Sequence, residues 1–335
     1  MSEIISLAHG NGGRLMHELI ASVIAQTLGD VLLESQNDAA NLALVADGQH
    51  LMMTTDGFTV KPLEFPGGDI GSLAVHGTVN DLAVSGATPH YLSLNLFIEE
   101  GFMMETLRRI LRSMRTAAVD ANVRIACGDT KVVPRGEGSG LYIATTGIGC
   151  KPANVQLGFE HIQDGDAILV SGPVGDHGIA VMLAREQFGL RGDVCSDAAN
   201  VLPYTKSLLN IAGLRFMRDP TRGGLATVLN EILHARGYGM DVVAEKIPVR
   251  DSVRVVCEML GYDPMYLACE GRVVAVVAAE QADTALAAWQ DLSDSRQAAI
   301  IGYINKSRQH VVLQTELGGE RILEELEDDP LPRIC

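Results

Sequence analysis

The sequence lacks the cysteine and histidine patterns that bind zinc or build disulfide frameworks. Its six cysteines are far apart, no C-x-x-C pair occurs, and the nine histidines form no H-E-x-x-H motif. Zinc sites and disulfide-rich scaffolds depend on such spacings. We therefore expect reduced thiols and a cytoplasmic protein. Four cysteines stand in apolar surroundings and are predicted to be small buried residues: Cys127, Cys150, Cys257 and Cys269.

The two commonest nucleotide-binding loops are also missing. The dipeptide Gly-Lys does not occur, which excludes a Walker A loop, and no G-x-G-x-x-G follows a strand-like run. A nucleotide, if one binds, must be held by another kind of site.

Positive charge is scarce, and no segment reads as a membrane span. The net charge is −16, which argues against nucleic acid as the main partner because phosphate binding needs clustered Lys and Arg. No run approaches the roughly 18 apolar residues of a spanning helix. The N-terminus lacks the basic and apolar regions of a signal peptide, so none is expected.

Apolar runs of two kinds alternate along the 335 residues. Glycine is abundant, with 35 residues, and the length suits about two domains. Strand-like and helix-like runs alternate on both sides of a polar, turn-rich break at 151–165, which predicts two α/β domains. The pattern leaves open whether each sheet is parallel or mostly antiparallel. Strands are expected at 50–58, 90–100, 122–130 and 141–149 in the first half, with helices at 68–86 and 103–121.

Acidic residues stand where several of these apolar runs end. They are Asp38, Asp56, the pair Asn80-Asp81, and Asp129. Carboxylates at strand ends can hold Mg²⁺, which takes one or two carboxylates and leaves its other positions to water and phosphate oxygens. The alternative is that each acid caps a helix or closes a turn.

Two glycine-rich segments precede helix-like runs. The first, "HGNGG", contributes Gly10, Gly12 and Gly13, and the second, "DPTRGG", contributes Thr221, Arg222, Gly223 and Gly224. Free backbone N–H groups before a helix suit an anion, and an arginine adds charge-assisted hydrogen bonds. A flexible N-terminus would also explain the first segment.

Three further residues carry reactive groups. Lys131 follows an acidic turn and suits a phosphate or an amide oxygen, unless it is a surface lysine. Glu270 lies between a cysteine and a glycine just before a strand, where a buried carboxylate can act as a base. Cys335 ends the chain after two nearby prolines, Pro330 and Pro332. These prolines stiffen an arm that we expect to be mobile.

Taken together, several motifs resemble the HypE family of hydrogenase maturation factors. They are "HGNGG", "TTDGF", "TVNDLAVSGA", "CGDTKVV", "DPTRGGLA" and the terminal "PRIC". The internal motifs are shared more loosely with aminoimidazole ribonucleotide synthetase, selenophosphate synthetase and thiamine-monophosphate kinase, and the terminal motif singles out HypE. The resemblance implies an α/β fold of the α+β type, with a mixed, mostly antiparallel N-terminal sheet that binds ATP and forms a homodimer. It also implies a C-terminal α/β domain. The expected divisions are 1–35, 36–150, 151–322 and a flexible tail at 323–335.

The resemblance further implies a reaction and its partners. HypF places a carbamoyl group on the terminal thiol, the enzyme uses ATP to dehydrate it to a thiocyanate, and cyanide passes to iron held by HypC and HypD. The implied Mg²⁺ and phosphate ligands are Asp38, Asp56, Asp81 and Asp129, with Asn80, Thr130 and the N-terminal glycines completing the ATP site. Lys131 would stabilise charge on the amide oxygen, Glu270 is the candidate base, and Cys335 is the carrier. Two alternatives remain: a kinase or ligase acting on a diffusible acceptor, and a non-catalytic carrier in a maturation complex.

Overall fold

The computed structural model describes most of the chain. The described ranges are 14–19, 39–46, 48–185, 193–292, 296–326 and 334–335. The predicted ligands Gly10, Gly12, Gly13 and Asp38 lie outside them, as do residues 327–333 of the expected tail. A short helix α1 (Arg14–Leu19) precedes the first sheet.

The first sheet has five main strands and a mixed, mostly antiparallel arrangement. Its strands are β1 (Ala40–Ala46), β2 (Gln49–Phe58), β5 (Thr88–Glu99), β6 (Arg124–Val133) and β7 (Leu141–Pro152), with a small hairpin of β3 (Glu64–Phe65) and β4 (Gly68–Asp69) beside them. The order is β1-β2-β7-β5-β6, and only β5 and β6 pair in parallel. Strand β6 therefore forms one edge of the sheet.

Two helices lie on this sheet, and the first is central to the molecule. Helix α2 (Ile70–Val84) is buried on nearly all sides, as expected for a helix that packs against the first sheet and against the second half of the chain. Asp69 begins it, because its Oδ1 accepts hydrogen bonds from the N–H groups of Gly71 (2.7 Å) and Ser72 (3.1 Å). Helix α3 (Met104–Asp120) is amphipathic and packs on α2.

The second sheet has seven strands. They are β8 (Ala167–Val170), β9 (Leu214–Arg218), β10 (Gly239–Val243), β11 (Val274–Val277), β12 (Ala299–Asn305), β13 (Val311–Gln314) and β14 (Glu320–Ile322). The order is β14-β13-β10-β12-β8-β11-β9, and only β10 and β13 pair in parallel. Its helices are α4 (Asp176–Ala184), α5 (Leu202–Leu208), α6 (Gly224–Arg236), α7 (Asp251–Leu260) and α8 (Ala282–Gln290).

Helices cover the second sheet on both faces. One buried cluster joins α6 to strands β8, β10 and β11, and a second cluster on the other face joins α5 and α8, centred on Trp289. A third cluster is shared by both halves: it joins α2 and the first sheet to α4, α7 and Ile334 near the C-terminus. The two halves are thus joined by a shared core. Within the described ranges, no helix is both long and apolar enough to cross a membrane.

The predicted fold class is confirmed: an α/β protein of the α+β type with two sheets and a mostly antiparallel N-terminal one. The sequence pattern did not reveal strand β14. The predicted boundary at residue 322 is early, because Leu323 is fully buried in the second core and its N–H bonds the carbonyl of Val311 (2.9 Å).

Candidate active site

Arg222 lies at the centre of a group of acidic residues from both halves of the chain. Its pKa is raised, first by the negative charge of Cys335 and then by Asp56, Glu270 and Asp81. Four residues that the sequence singles out (Asp56, Asp81, Glu270 and Cys335) therefore surround a fifth.

The first half contributes the two aspartates from adjacent elements. Along β2, alternate residues face α2, which places Asp56 near Gly77, one helical turn before Asp81. Thr54 donates from Oγ1 to Asp81 Oδ2 (2.7 Å), and the Gly57 N–H donates to Asp56 Oδ1 (2.7 Å). Burial raises the pKa of Asp56, although the Arg222 charge opposes that effect.

These two carboxylates fit a Mg²⁺ site of the kind that is completed by phosphate oxygens. Mg²⁺ needs only one or two protein carboxylates when a nucleotide supplies the other oxygens. Asp38 lies outside the described residues. In the part of the chain that the structure describes, no three His, Cys, Asp or Glu side chains converge. The four-carboxylate set therefore stays a prediction.

The backbone conformation of the turn explains why both last residues of "DPTRGG" are glycines. Gly223 and Gly224 have φ values of 72° and 60°, in the left-handed region that favours glycine. A Cβ on Gly224 would lie 2.5 Å from the carbonyl oxygen of Leu267. The turn begins α6 and places Arg222 among the acids. The predicted anion-binding role of both glycines and Thr221 stays a prediction.

Glu270 is a buried carboxyl group with an unused oxygen. The residue is 2% exposed, and its Oε1 has no hydrogen-bond partner among the described residues. Burial raises the pKa of Glu270 well above its ordinary value, and the negative charges of Asp219, Asp56 and Asp197 add to the effect. A carboxylate with a raised pKa is a stronger proton acceptor, as a general base requires.

The main chain of Glu270 is fixed from both halves of the molecule. Asn80 on α2 donates from Nδ2 to the Glu270 carbonyl (3.1 Å), and the Glu270 N–H donates to Asp197 Oδ1 (3.1 Å). The same Asn80 amide donates to the Ala199 carbonyl (3.0 Å) and accepts from the Val201 N–H (2.9 Å). Asn80, predicted to bind ATP, thus uses both amide groups to join the two halves.

The C-terminal dipeptide packs against the core shared by both halves. Thr59 donates to a main-chain oxygen of Cys335 from its N–H (3.1 Å) and its Oγ1 (3.2 Å). His177 Nε2 bonds the Ile334 carbonyl (2.8 Å), and the Ile334 side chain is 2% exposed. The predicted mobile carrier is therefore seated at its last two residues.

Asp219 and a buried ion-pair group that includes Asp197 lie close to Glu270. Burial raises the pKa of Asp219 to about 6, although Arg218 opposes the shift. Arg272 pairs with Asp197 (3.3 Å) and Asp176 (3.6 Å). Burial, with the Asp197 charge, raises the pKa of Asp176 to about 6. Asp176, Asp197 and Asp219 are therefore carboxyl groups that are buried away from water.

A second group of predicted residues lies on edge strand β6. Lys131 pairs with Asp129 (2.8 Å), whose Oδ1 accepts from the Thr130 N–H (2.8 Å), and all three residues are exposed. The pairing with Lys131 lowers the pKa of Asp129. Cys127 is exposed on the same strand, so the prediction that it is buried was wrong. Cys150 is only half-buried, whereas Cys257 and Cys269 are buried as predicted.

Sequence reasoning missed four polar residues of the site: Thr59, His177, Asp197 and Asp219. Asp176 and His177 stand at the start of an otherwise apolar helix, and such a pair is the signal that could have indicated a buried polar site. Asp197 lies in an irregular segment between elements, where spacing carries no information. Asp219 begins the quoted motif "DPTRGG", in which only Thr221, Arg222 and the two glycines were given a role.

Comparisons with known proteins identify the family of both halves of the chain. The chain matches the family models described as "AIR synthase related protein, N-terminal domain" over residues 36–150 and "AIR synthase related protein, C-terminal domain" over 163–314. A carbamoyl dehydratase HypE of Azotobacter vinelandii is 43% identical over 99% of this chain and 97% of that protein.

Two solved structures are similar along most of the chain. A HypE–HypF complex superposes with a TM-score of 0.86 and 41% identity, covering 92% of this chain and 99% of that one. A hydrogenase maturation protein HypE in complex with ATP gives 0.82 and 43%, covering 99% and 100%.

Proposed function

The chain belongs to the AIR synthase related family and, within it, to the HypE carbamoyl dehydratases, and from this premise we propose that the residues described above form the site where it dehydrates its own C-terminal S-carboxamide. The substrate is carried on Cys335, ATP is the activating reagent, and the product is a thiocyanate that supplies cyanide for the iron of a [NiFe]-hydrogenase. One observation carries this assignment of the site: Thr59, directly after the strand that bears Asp56, donates two hydrogen bonds to a main-chain oxygen of Cys335 (3.1 and 3.2 Å). The charge of Cys335 also raises the pKa of Arg222, as do those of Asp56, Glu270 and Asp81.

The chemistry explains why the reaction needs ATP and a base. An S-carboxamide cannot lose water at neutral pH, because hydroxide is too poor a leaving group. Transfer of the terminal phosphoryl group of ATP to the amide oxygen forms a C–O–P link and releases ADP. Removal of both N–H protons then forms the C≡N bond as the C–O bond breaks and phosphate leaves. The carboxamide oxygen ends in the phosphate, so the atoms balance.

Each described residue has a distinct part in this scheme. Glu270 is the proposed proton acceptor, since its carboxyl group is buried beside the acids and has an unused oxygen. Arg222 holds the negative charge of the terminal residue and of the entering phosphates. Lys131 is proposed to stabilise charge on the amide oxygen, for which its ammonium group must exchange Asp129 for the substrate.

Asp56 and Asp81 would hold Mg²⁺ beside the phosphates. Their oxygen donors suit a hard cation, and the ion would supply charge neutralisation during phosphoryl transfer. We propose the same role for Asp38 and Asp129, and phosphate contacts for Thr130, Thr221 and the glycines of the two loops.

The partners follow from the reaction. A HypE relative has been crystallised with HypF, and we propose that HypF also loads the carbamoyl group on Cys335 here. The thiocyanate then passes to the HypC–HypD complex. We propose a cytoplasmic location, because a free thiol must be available at Cys335 and all six cysteines are free.

We also propose a homodimer formed along β6. This edge strand is exposed over almost its whole length, and Val132 (69% exposed) and Ile125 (39%) are apolar. An exposed apolar edge strand favours pairing with a second chain. The neighbouring strand adds the exposed side chains of Tyr91 and Phe97 to the same region.

Intact mass spectrometry of the carbamoylated protein tests the proposal. With ATP and Mg²⁺ the mass should fall by one water, and Cys335→Ala should abolish turnover while ATP still raises the melting temperature. An unchanged mass with ATP bound would contradict the proposal. ATP hydrolysis that survives deletion of residues 334–335 would indicate a diffusible acceptor instead.

A further inference from the structure

The carbonyl oxygen of the last peptide bond is hydrogen-bonded by a buried imidazole. His177 Nε2 lies 2.8 Å from the carbonyl oxygen of Ile334, and the ring is fully buried at the start of α4. A carbonyl oxygen can only accept, so Nε2 carries the hydrogen and donates it. Burial lowers the pKa of His177, which favours the neutral ring.

Ser196 fixes the tautomer that this contact requires. In a neutral ring with its hydrogen on Nε2, Nδ1 is an acceptor, and Ser196 Oγ lies 2.8 Å from it. The Ala198 N–H donates to the same Oγ (3.0 Å), which leaves the serine hydroxyl hydrogen for Nδ1. The ring is also held edge-on by Phe65, with the centroids 5.4 Å apart.

The segment that carries Ser196 also holds the candidate base. The Ser196 N–H bonds the Pro66 carbonyl (2.8 Å), which ties the segment to the first half of the molecule. The next residue, Asp197, accepts from the Glu270 N–H (3.1 Å). The carbonyl of Ile334 is thus connected to the main chain of Glu270 through His177, Ser196 and Asp197.

From these contacts we propose that His177 is the positioning residue of the carrier tail. Its Nε2–H holds the Ile334 main chain so that the Cys335 side chain enters beside Arg222, and the Ser196–Asp197 segment keeps Glu270 in register with the seated tail. This role rests on the proposed function for its catalytic consequence, but the seating itself does not depend on chemistry at Cys335.

The proposal also explains what kind of tail the site accepts. The hydrogen bonds from His177 and Thr59 go to main-chain oxygens of the tail, so these bonds do not distinguish its side chains. The side chain that distinguishes one tail sequence from another is that of Ile334, which is buried in the core shared by both halves. A branched apolar residue before the terminal cysteine is therefore the expected requirement.

The rate of Cys335 alkylation in the full-length, unmodified protein tests the seating. Iodoacetamide labelling at limiting times, followed by mass spectrometry of the C-terminal peptide, gives this rate. Cys127 on β6 is an internal reference, because the substitution leaves that strand and its proposed dimer contact unchanged. His177→Phe keeps a ring against Phe65 but removes the donor, whereas His177→Gln keeps an N–H donor at a similar place. A lost buried hydrogen bond changes an equilibrium about 3- to 10-fold.

We expect Cys335 in His177→Phe to be alkylated about 3- to 10-fold faster than in the wild type. We expect His177→Gln to stay within about twofold and Cys127 to be unchanged. Dehydration of the carbamoylated His177→Phe chain should fall by a similar factor, with recovery in His177→Gln. Equal Cys335 rates in wild type and folded His177→Phe would overturn the proposal.

Ser196→Ala provides the test if His177→Phe does not fold. It leaves the imidazole and its packing in place and removes the Oγ that fixes the tautomer and accepts from the Ala198 N–H, so Cys335 alkylation should rise about two- to fivefold. An unchanged rate in that variant would overturn the proposal as well. If wild-type carbamoylated protein loses no water with ATP while these alkylation differences hold, the proposed function fails and the tail seat stands.

Discussion

The side-chain amide of Asn80 bonds the carbonyl oxygen of Glu270 at 3.1 Å, which links the central helix of the first half to the candidate base in the second. The same amide donates to the Ala199 carbonyl and accepts from the Val201 N–H, so both of its N–H donors and its oxygen bond the second half. We therefore expect Asn80 to act on the reaction by fixing the position of Glu270.

Asn80→Ala should separate positioning from ATP binding. Loss of three buried hydrogen bonds should lower the free energy of unfolding by about 2–4 kcal/mol, measured by urea denaturation. Turnover should fall about 10- to 100-fold, because small displacements of a catalytic group are costly. The ATP-induced rise in melting temperature should persist. If it is lost, Asn80 contributes to ATP binding, as expected from the sequence.

Asn230→Ala is the matched control for that variant. Asn230 is also buried, and its Nδ2 donates to the carbonyls of Ala226 (2.9 Å) and Leu323 (3.1 Å) in the second core. We expect a similar loss of stability without the fall in turnover of the folded protein. Equal losses of turnover in both variants would mean that Asn80 acts through stability alone.

Glu270→Gln should remove the base and keep the shape of the site. Dehydration should fall about 100-fold or more, the usual contribution of a positioned base. The wild-type rate should rise with pH through the raised pKa of Glu270, because only the ionised carboxylate accepts a proton. A measured pH–rate profile of the carbamoylated protein with saturating ATP checks both expectations.

Asp219→Asn should shift that profile in a defined direction. The Asp219 charge helps to raise the pKa of Glu270, so its removal should lower that pKa and move the acidic limb to lower pH. An acidic limb that moves to higher pH, or stays in place, would show that another group limits the rate.

Glu270 and Asp219 should also make the folded protein less stable as pH rises. Folding raises the pKa of each carboxyl group. Between the unfolded-state and the folded-state pKa of each group, the folded chain therefore binds more protons than the unfolded chain. Stability is therefore lost from about pH 4 through about 6 for Asp219, and to higher pH for Glu270. Melting curves without ATP should show Glu270→Gln about 2–4 °C more stable than wild type at pH 8. A less stable variant would contradict the assigned shift.

The terminal carboxylate itself should be required for seating. One glycine added after Cys335 would convert the carboxylate into a peptide and remove the negative charge from the oxygen that accepts two hydrogen bonds from Thr59. Charge-assisted contacts are the stronger class, so Cys335 alkylation should accelerate about tenfold or more. Thr59→Val removes one hydroxyl donor and keeps the N–H, so its effect should be smaller. Unchanged protection in the extended chain would show that the carboxylate is not recognised.

The sequence pattern predicted most elements of the fold because apolar periodicity survives in them. Helix α2 was predicted, although it is buried on nearly all sides, because its apolar residues recur at helical spacing. Strand β14 was not found, because Glu320–Ile322 are exposed and only three residues long. Strand order was left open by the pattern, since it depends on pairing between distant segments.

The site was predicted only where motifs are local. Asp56, Asp81, Arg222, Glu270 and Cys335 were indicated by the sequence, and the structure brings them together. Thr59 and His177 act through main-chain contacts with residues 276 and 157 positions away, a relationship that no spacing records. The exposure of Cys127 was missed because an edge strand that awaits a partner has the same apolar pattern as a buried one.

Val132→Lys tests whether that edge strand is the dimer surface. Val132 is 69% exposed on β6, and a lysine there would place its charge against the partner strand, which edge strands use to prevent pairing. We expect wild-type protein to sediment as a dimer at micromolar concentration and Val132→Lys to be monomeric. Val119→Lys is the control, because Val119 is equally exposed (68%) but lies on α3. A monomeric wild type, or a dimer that Val132→Lys leaves intact, would place the interface elsewhere.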